Sequence, residues 1–88
     1  MKINFCKGVS FIESEAGACI MRDATGERFD VGGAGTDFLR MIDGVNDYDS
    51  IIEQLIKEYA GVEPYVVAKD MERFLTQLVD NQLVQVEN

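Results

Sequence analysis

The side chains able to do chemistry in this chain are few, and their spacing excludes more than it offers. Histidine is absent, which removes the commonest general base and the commonest metal ligand. Ser10, Ser14 and Ser50 therefore have no imidazole to activate them, and neither Cys6 nor Cys19 can form a Cys–His pair. Two cysteines alone cannot build a zinc site. Nor do they resemble a disulfide framework, so they read as two small apolar side chains with reduced thiols. One acidic cluster, Asp43, Asp47, Asp49 and Glu53, invites comparison with a calcium loop. Starting at Asp43, such a loop needs an oxygen ligand at its third position and glycine at its sixth. Val45 and Tyr48 stand there instead. These acids read as helix-capping, first-turn and solvated residues. The run Gly32-Gly33-Ala34-Gly35 has neither the spacing of a dinucleotide fingerprint nor the Lys-Ser/Thr of a P-loop. It reads as backbone turning from a strand into a helix, with glycine as the N-cap. Residue chemistry thus points away from an enzyme and implies no cofactor and no metal.

Composition narrows the classes further. The 88 residues suit one domain, with little surplus core for a deep substrate cavity. Sixteen acids against eight bases give a net charge of −8, a field that repels nucleic-acid phosphates and anionic lipid. No apolar run approaches the roughly 18 residues that span a bilayer. The first ten residues, MKINFCKGVS, hold neither a long apolar segment nor a small-residue cleavage site, so a cytoplasmic protein is expected.

The elements that must position any site follow from periodicity. Val9–Ser14 and Ala18–Asp23 are short apolar-rich runs joined by Glu15-Ala16-Gly17, a hairpin-sized connection. Ala24-Thr25-Gly26 makes the next turn. Glu27–Val31 then alternates cleanly, with Phe29 and Val31 on one face and Arg28 and Asp30 on the other. Short turns between three strands predict an antiparallel meander. A first helix is expected from Ala34 or Thr36 to Ile42, with Gly44 as its left-handed stop. A second begins at Asp47 as N-cap, carries Ile51, Ile52, Leu55, Ile56 and Tyr59 at helical spacing, and closes at Gly61. The third begins at Pro64. Its apolar stripe is Val67, Met71, Phe74, Leu75 and Leu78, edged by Val66 and Val79, opposite Lys69, Glu72 and Thr76. It ends at Asn81 or Gln82, and Leu83–Glu87 is an extended tail that can add to a sheet edge. Strands segregated from helices predict an α+β, winged-helix-like fold.

What such a fold can do without catalytic groups is bind. An open meander offers its edge strand to another polypeptide, which adds by ladder hydrogen bonds while its side chains enter neighbouring pockets. The same edge offers a route to a homodimer, and the outward Arg28 and Asp30 also suit a strand that discourages pairing. A winged helix that reads DNA is the rival. Its recognition helix would be the third, yet Lys69 and Arg73 there are offset by Asp70 and Glu72, whereas a DNA reader carries a basic face. A structural subunit of a larger enzyme is a further alternative.

The stretch FDVGGAGTDFLRMIDG, from Phe29 to Gly44, resembles the PqqD family, in which a strand leads into a helix that closes with Asp-Gly. Asp47, Ile51 and Leu55 fall where that family begins and packs its second helix, and DMERFLTQLVDNQLVQV is similar to its last helix and tail. The likeness runs from about Val9 to Val86 and rests on order and spacing. It departs from the family in two places: Gly32 stands where Asn often caps the first helix, and Asn81-Gln82 replaces a glycine before the terminal apolar pair. The resemblance implies a RiPP recognition element, a domain that binds the leader segment of a ribosomally made precursor peptide as an added strand. Such a domain presents the rest of the precursor to a modifying enzyme, such as a radical SAM protein, a cyclase or a protease. It further implies a groove between the third strand, Glu27, Arg28, Phe29, Asp30 and Val31, and the third helix. On the helix, spacing from the core stripe selects Val66, Lys69, Asp70, Arg73, Phe74 and Gln77. Lys69 and Arg73, one turn apart, can hold an acidic leader residue or remain solvated beside Asp70 and Glu72.

Overall fold

A computed structural model describes residues 1–87. Its elements run β1 (Lys2–Phe5), β2 (Val9–Ser14), β3 (Gly17–Arg22), β4 (Glu27–Val31), α1 (Ala34–Arg40), α2 (Tyr48–Glu58), α3 (Pro64–Asp80) and β5 (Val84–Glu87). The expected meander is present as an antiparallel sheet of order β2-β3-β4. Its register sets Phe11 opposite Ile20 and Ile20 opposite Phe29. Facing residues share a side of the sheet, so these three point together at the core while Ile12, Cys19 and Asp30 share the other face. Positive φ falls on glycine at both turns, Gly17 and Gly26, where the missing Cβ removes the steric cost.

Two strands form a second sheet. β5 is the expected extended tail, and it pairs antiparallel with β1, a strand the periodicity does not announce. Ile3 lies opposite Val86 and Phe5 opposite Val84, and both Ile3 and Val84 are buried. Phe5 also stacks on Phe11, with ring centroids 6.3 Å apart, which joins the two sheets. Between α3 and β5 the chain turns through Gln82 at φ 58°, and the Leu83 amide donates to the Leu78 carbonyl. Gln82 thus holds the left-handed position that glycine would take at less cost.

The helices pack through one aromatic centre. Phe38 of α1 is fully buried and meets Tyr48 and Phe74 edge-on, at 6.2 and 5.8 Å between centroids. Leu39, Ile51, Leu55, Val67, Met71 and Leu78 complete the helical side of the core. Two helix ends differ from expectation. α1 stops at Arg40, and the next two amides bond three residues back, Met41 to Phe38 and Ile42 to Leu39, so the predicted end at Ile42 is a tighter turn. α2 stops at Glu58 with Tyr59 as C-cap, leaving Gly61 in the turn beyond rather than closing the helix. Asp47 does stand at the N-cap of α2, but its carboxylate pairs with the Met1 amino group and caps no helix amide.

Asp43 organises the connection between α1 and α2. One of its carboxylate oxygens accepts the Val45 and Asn46 amides, each at 2.8 Å, and the pair is reinforced by the Asn46 side chain. Those amides, Asn46 first, hold the Asp43 carboxyl below the usual carboxylate range. A lowered folded-state pKa contributes stability above the unfolded value of about 3.9 and loses it as pH falls through the folded value. Asp43→Asn is therefore expected to lower the thermal midpoint near neutrality and to flatten its decline between about pH 5 and pH 2. Identical acid-side slopes in both proteins would refute this role.

Candidate functional site

The meander has two edge strands, β2 and β4, each hydrogen-bonded to β3 on one side only, and the edge that leads directly into α1 is β4. Its alternation sorts the five expected residues. Glu27, Phe29 and Val31 share the core face, where Phe29 and Val31 pack against the core and Glu27 accepts from Arg22 at 3.1 Å. Arg28 and Asp30 occupy the outer face and pair with each other at 3.5 Å, both well exposed. Their side chains therefore leave the backbone edge uncovered, so it can take another strand. A strand added there would place alternate side chains over the two faces of the sheet.

An open groove of about 380 Å³ begins just beyond the end of β4, and none of the expected strand residues Glu27–Val31 lines it, because the start of α1 rather than β4 faces α3 there. One wall is the start of α1, with Gly32, Ala34 and Gly35. The other is α3, with Asp70, Met71, Arg73, Phe74 and Gln77. Of the helix residues selected from sequence, Asp70, Arg73, Phe74 and Gln77 come together here. Val66 and Lys69 are exposed and lie outside this lining. Helical geometry explains the split: 70, 73, 74 and 77 follow the i, i+3, i+4, i+7 row of one face, and 66 and 69 extend it by a turn beyond the groove.

The opposite wall is not announced by the sequence pattern. The Gly-rich run does start a helix, with Gly33 as N-cap at φ 56°. It also brings bare backbone against α3. A Cβ on buried Gly35 would stand 3.1 Å from Cζ of Phe74, so the ring lies almost on the helix backbone. The signal was available in the three glycines, but its meaning depends on where α1 crosses α3. Met71, read only as core, also reaches the groove.

Ion pairs fix the position of α1. Arg40 donates to Glu13 of β2, at 2.6 Å at its closest, and to Asp37 at 2.7 Å. The Tyr59 hydroxyl, at the end of α2, donates to the other oxygen of Asp37. That bond and burial raise the Tyr59 pKa. The set links sheet, α1 and α2. A second hollow, of about 510 Å³, lies on the outer face of the sheet over Ile12, Cys19 and Met21, with Arg28, Asp30 and Val31 along its β4 side. Cys19 and Cys6 are both free thiols. Among the described residues no helix is long and apolar enough to cross a membrane.

Comparison with known proteins adds three findings. The family described as Coenzyme PQQ synthesis protein D (PqqD) matches residues 17–84. Two solved structures share the fold. One is described as TbiB1 in complex with the TbiA(beta) leader peptide, at a TM-score of 0.81 and 18% identity, covering 97% of this chain and 98% of that one. The other is lasso peptide synthetase B1 complexed with the leader peptide, at a TM-score of 0.84 and 15% identity, covering 98% and 100%. No curated protein matches the sequence.

Proposed function

Because the chain belongs to the PqqD family, we propose that it is a non-catalytic adaptor that takes up the leader segment of a ribosomally made precursor peptide as an added strand on β4. The observation that carries this reading is the free β4 edge running into a groove walled by α3 and the bare start of α1. Main-chain pairing supplies affinity there, and leader side chains entering the groove supply selectivity. That two proteins of this fold are described with leader peptides supports the same assignment.

The bound leader would leave the rest of the precursor free for a maturation enzyme, of the radical SAM, cyclase or protease type, in a soluble cytoplasmic complex. A DNA-reading role is disfavoured by the net charge of −8 and by Asp70 and Glu72 beside Lys69 and Arg73 on α3. Adding a synthetic leader, taken from a short precursor encoded beside this chain's gene, to the isotope-labelled protein tests the proposal. Amide shifts are expected to concentrate on Glu27–Val31, on Gly32–Gly35 and on α3. Shifts confined to the β2–β3 hairpin would sink this binding mode.

A further inference from the structure

The chain has four arginines and twice as many acids as bases. Three of the four are paired: Arg22 with Glu27, Arg28 with Asp30, and Arg40 with Glu13 and Asp37. Arg73 forms no ion pair among the described residues, although Asp70 lies one turn before it and Glu72 is its neighbour in sequence. It is also the one arginine that lines the groove. Resting on the leader-binding reading above, we infer that Arg73 is a specificity-determining residue that selects leaders carrying a carboxylate at the position facing it.

The physical argument is one of desolvation. In the empty groove the guanidinium is hydrated and its lack of a partner costs little. A peptide laid along β4 displaces that water, and the surviving charge interactions strengthen in the drier surroundings. A leader with Asp or Glu at this point gives the planar guanidinium a bidentate partner. A leader with an apolar residue there leaves a cation covered and unpaired, which is penalised more heavily than a missing contact. Selection therefore works by attraction and by rejection together. The protein's overall negative charge opposes approach of an acidic leader, so the pair acts after docking, on the dissociation rate rather than on steering.

The test measures binding of the synthetic leader described above to the full chain, with each leader Asp and Glu replaced in turn by its amide. Arg73→Gln is expected to weaken the unmodified leader about tenfold, mainly by faster dissociation. One leader amide substitution should cause a matching loss and add nothing further in the Arg73→Gln protein. Arg73→Glu should be rescued by a leader lysine at that same position, which guards against a variant that merely misfolds. Lys57→Gln, on the exposed side of α2, should leave affinity unchanged. If the leader binds with shifts on β4 and α3 but Arg73→Gln binds as tightly, or no leader acid couples to Arg73, this inference is overturned alone. If the leader does not bind, or its shifts lie elsewhere, the reading beneath it fails as well.

Discussion

A leader peptide N-methylated at one backbone amide at a time is expected to lose binding in a two-residue rhythm. A strand added to β4 directs every second N–H at the β4 backbone and the others away from it. Methylation at a bonding position removes a donor, leaves a β4 carbonyl without its partner and places a methyl between the strands. A net hydrogen bond contributes about 0.5–1.5 kcal/mol, but removing one partner and orphaning the other costs about 1–3 kcal/mol instead. About tenfold to hundredfold weaker binding should follow at those positions, with small changes at the positions between. Titration of a methylation series against the labelled protein gives the profile directly. A flat profile would mean that side chains alone hold the peptide and that β4 is not extended. Alanine at Arg28 or Asp30 should change little by comparison, because this pair lies on the outer face and leaves the backbone edge free.

The largest loss of stability is expected from Phe38→Ala. The ring is fully buried and touches Tyr48 and Phe74 edge-on, so the variant opens a hole where α1, α2 and α3 meet. Truncating a buried Phe costs about 3–5 kcal/mol, against about 4–13 kcal/mol of net stability for a domain of this length. Urea unfolding should therefore show a much lower midpoint, and at physiological temperature a large unfolded fraction. Phe38→Leu, which keeps most of the volume, should recover most of the loss. The surviving fold should also bind leader more weakly, because Phe74 has lost the ring beside it and shares the groove with Gly35. A loss in Phe38→Ala below about 1.5 kcal/mol would show that the three helices repack without it.

Much of this architecture could be read from local pattern. Phe29 and Val31 alternate with Arg28 and Asp30, and that period of two marks β4 and both its faces. Pro64 and the stripe through Val67, Met71 and Leu78 mark α3 for similar reasons. β1 escaped because only Ile3 and Phe5 alternate in it, and its partners Val86 and Val84 lie at the other end of the chain. Such pairing is visible only once the chain is folded. The groove divides the same way. Asp70, Arg73, Phe74 and Gln77 follow from helix geometry, since one periodic row locates them all. Gly35 and Ala34 do not, because a residue with little or no side chain matters by what it allows to approach, here the Phe74 ring. Asp47 illustrates the converse: its position as N-cap was legible, whereas its carboxylate's partner, the Met1 amino group, is remote in sequence.

The β1–β5 pair has a consequence for how this fold can be carried. Lys2 stands opposite Glu87, so the two ends of the described chain leave the molecule side by side. A fold whose ends meet can be spliced into a surface loop of another protein without stretching either partner, or reconnected end to end and opened elsewhere. The exposed turns at Ala24–Gly26 and Ala60–Glu63 are natural places for new ends. The free β4 strand would remain uninterrupted in each arrangement.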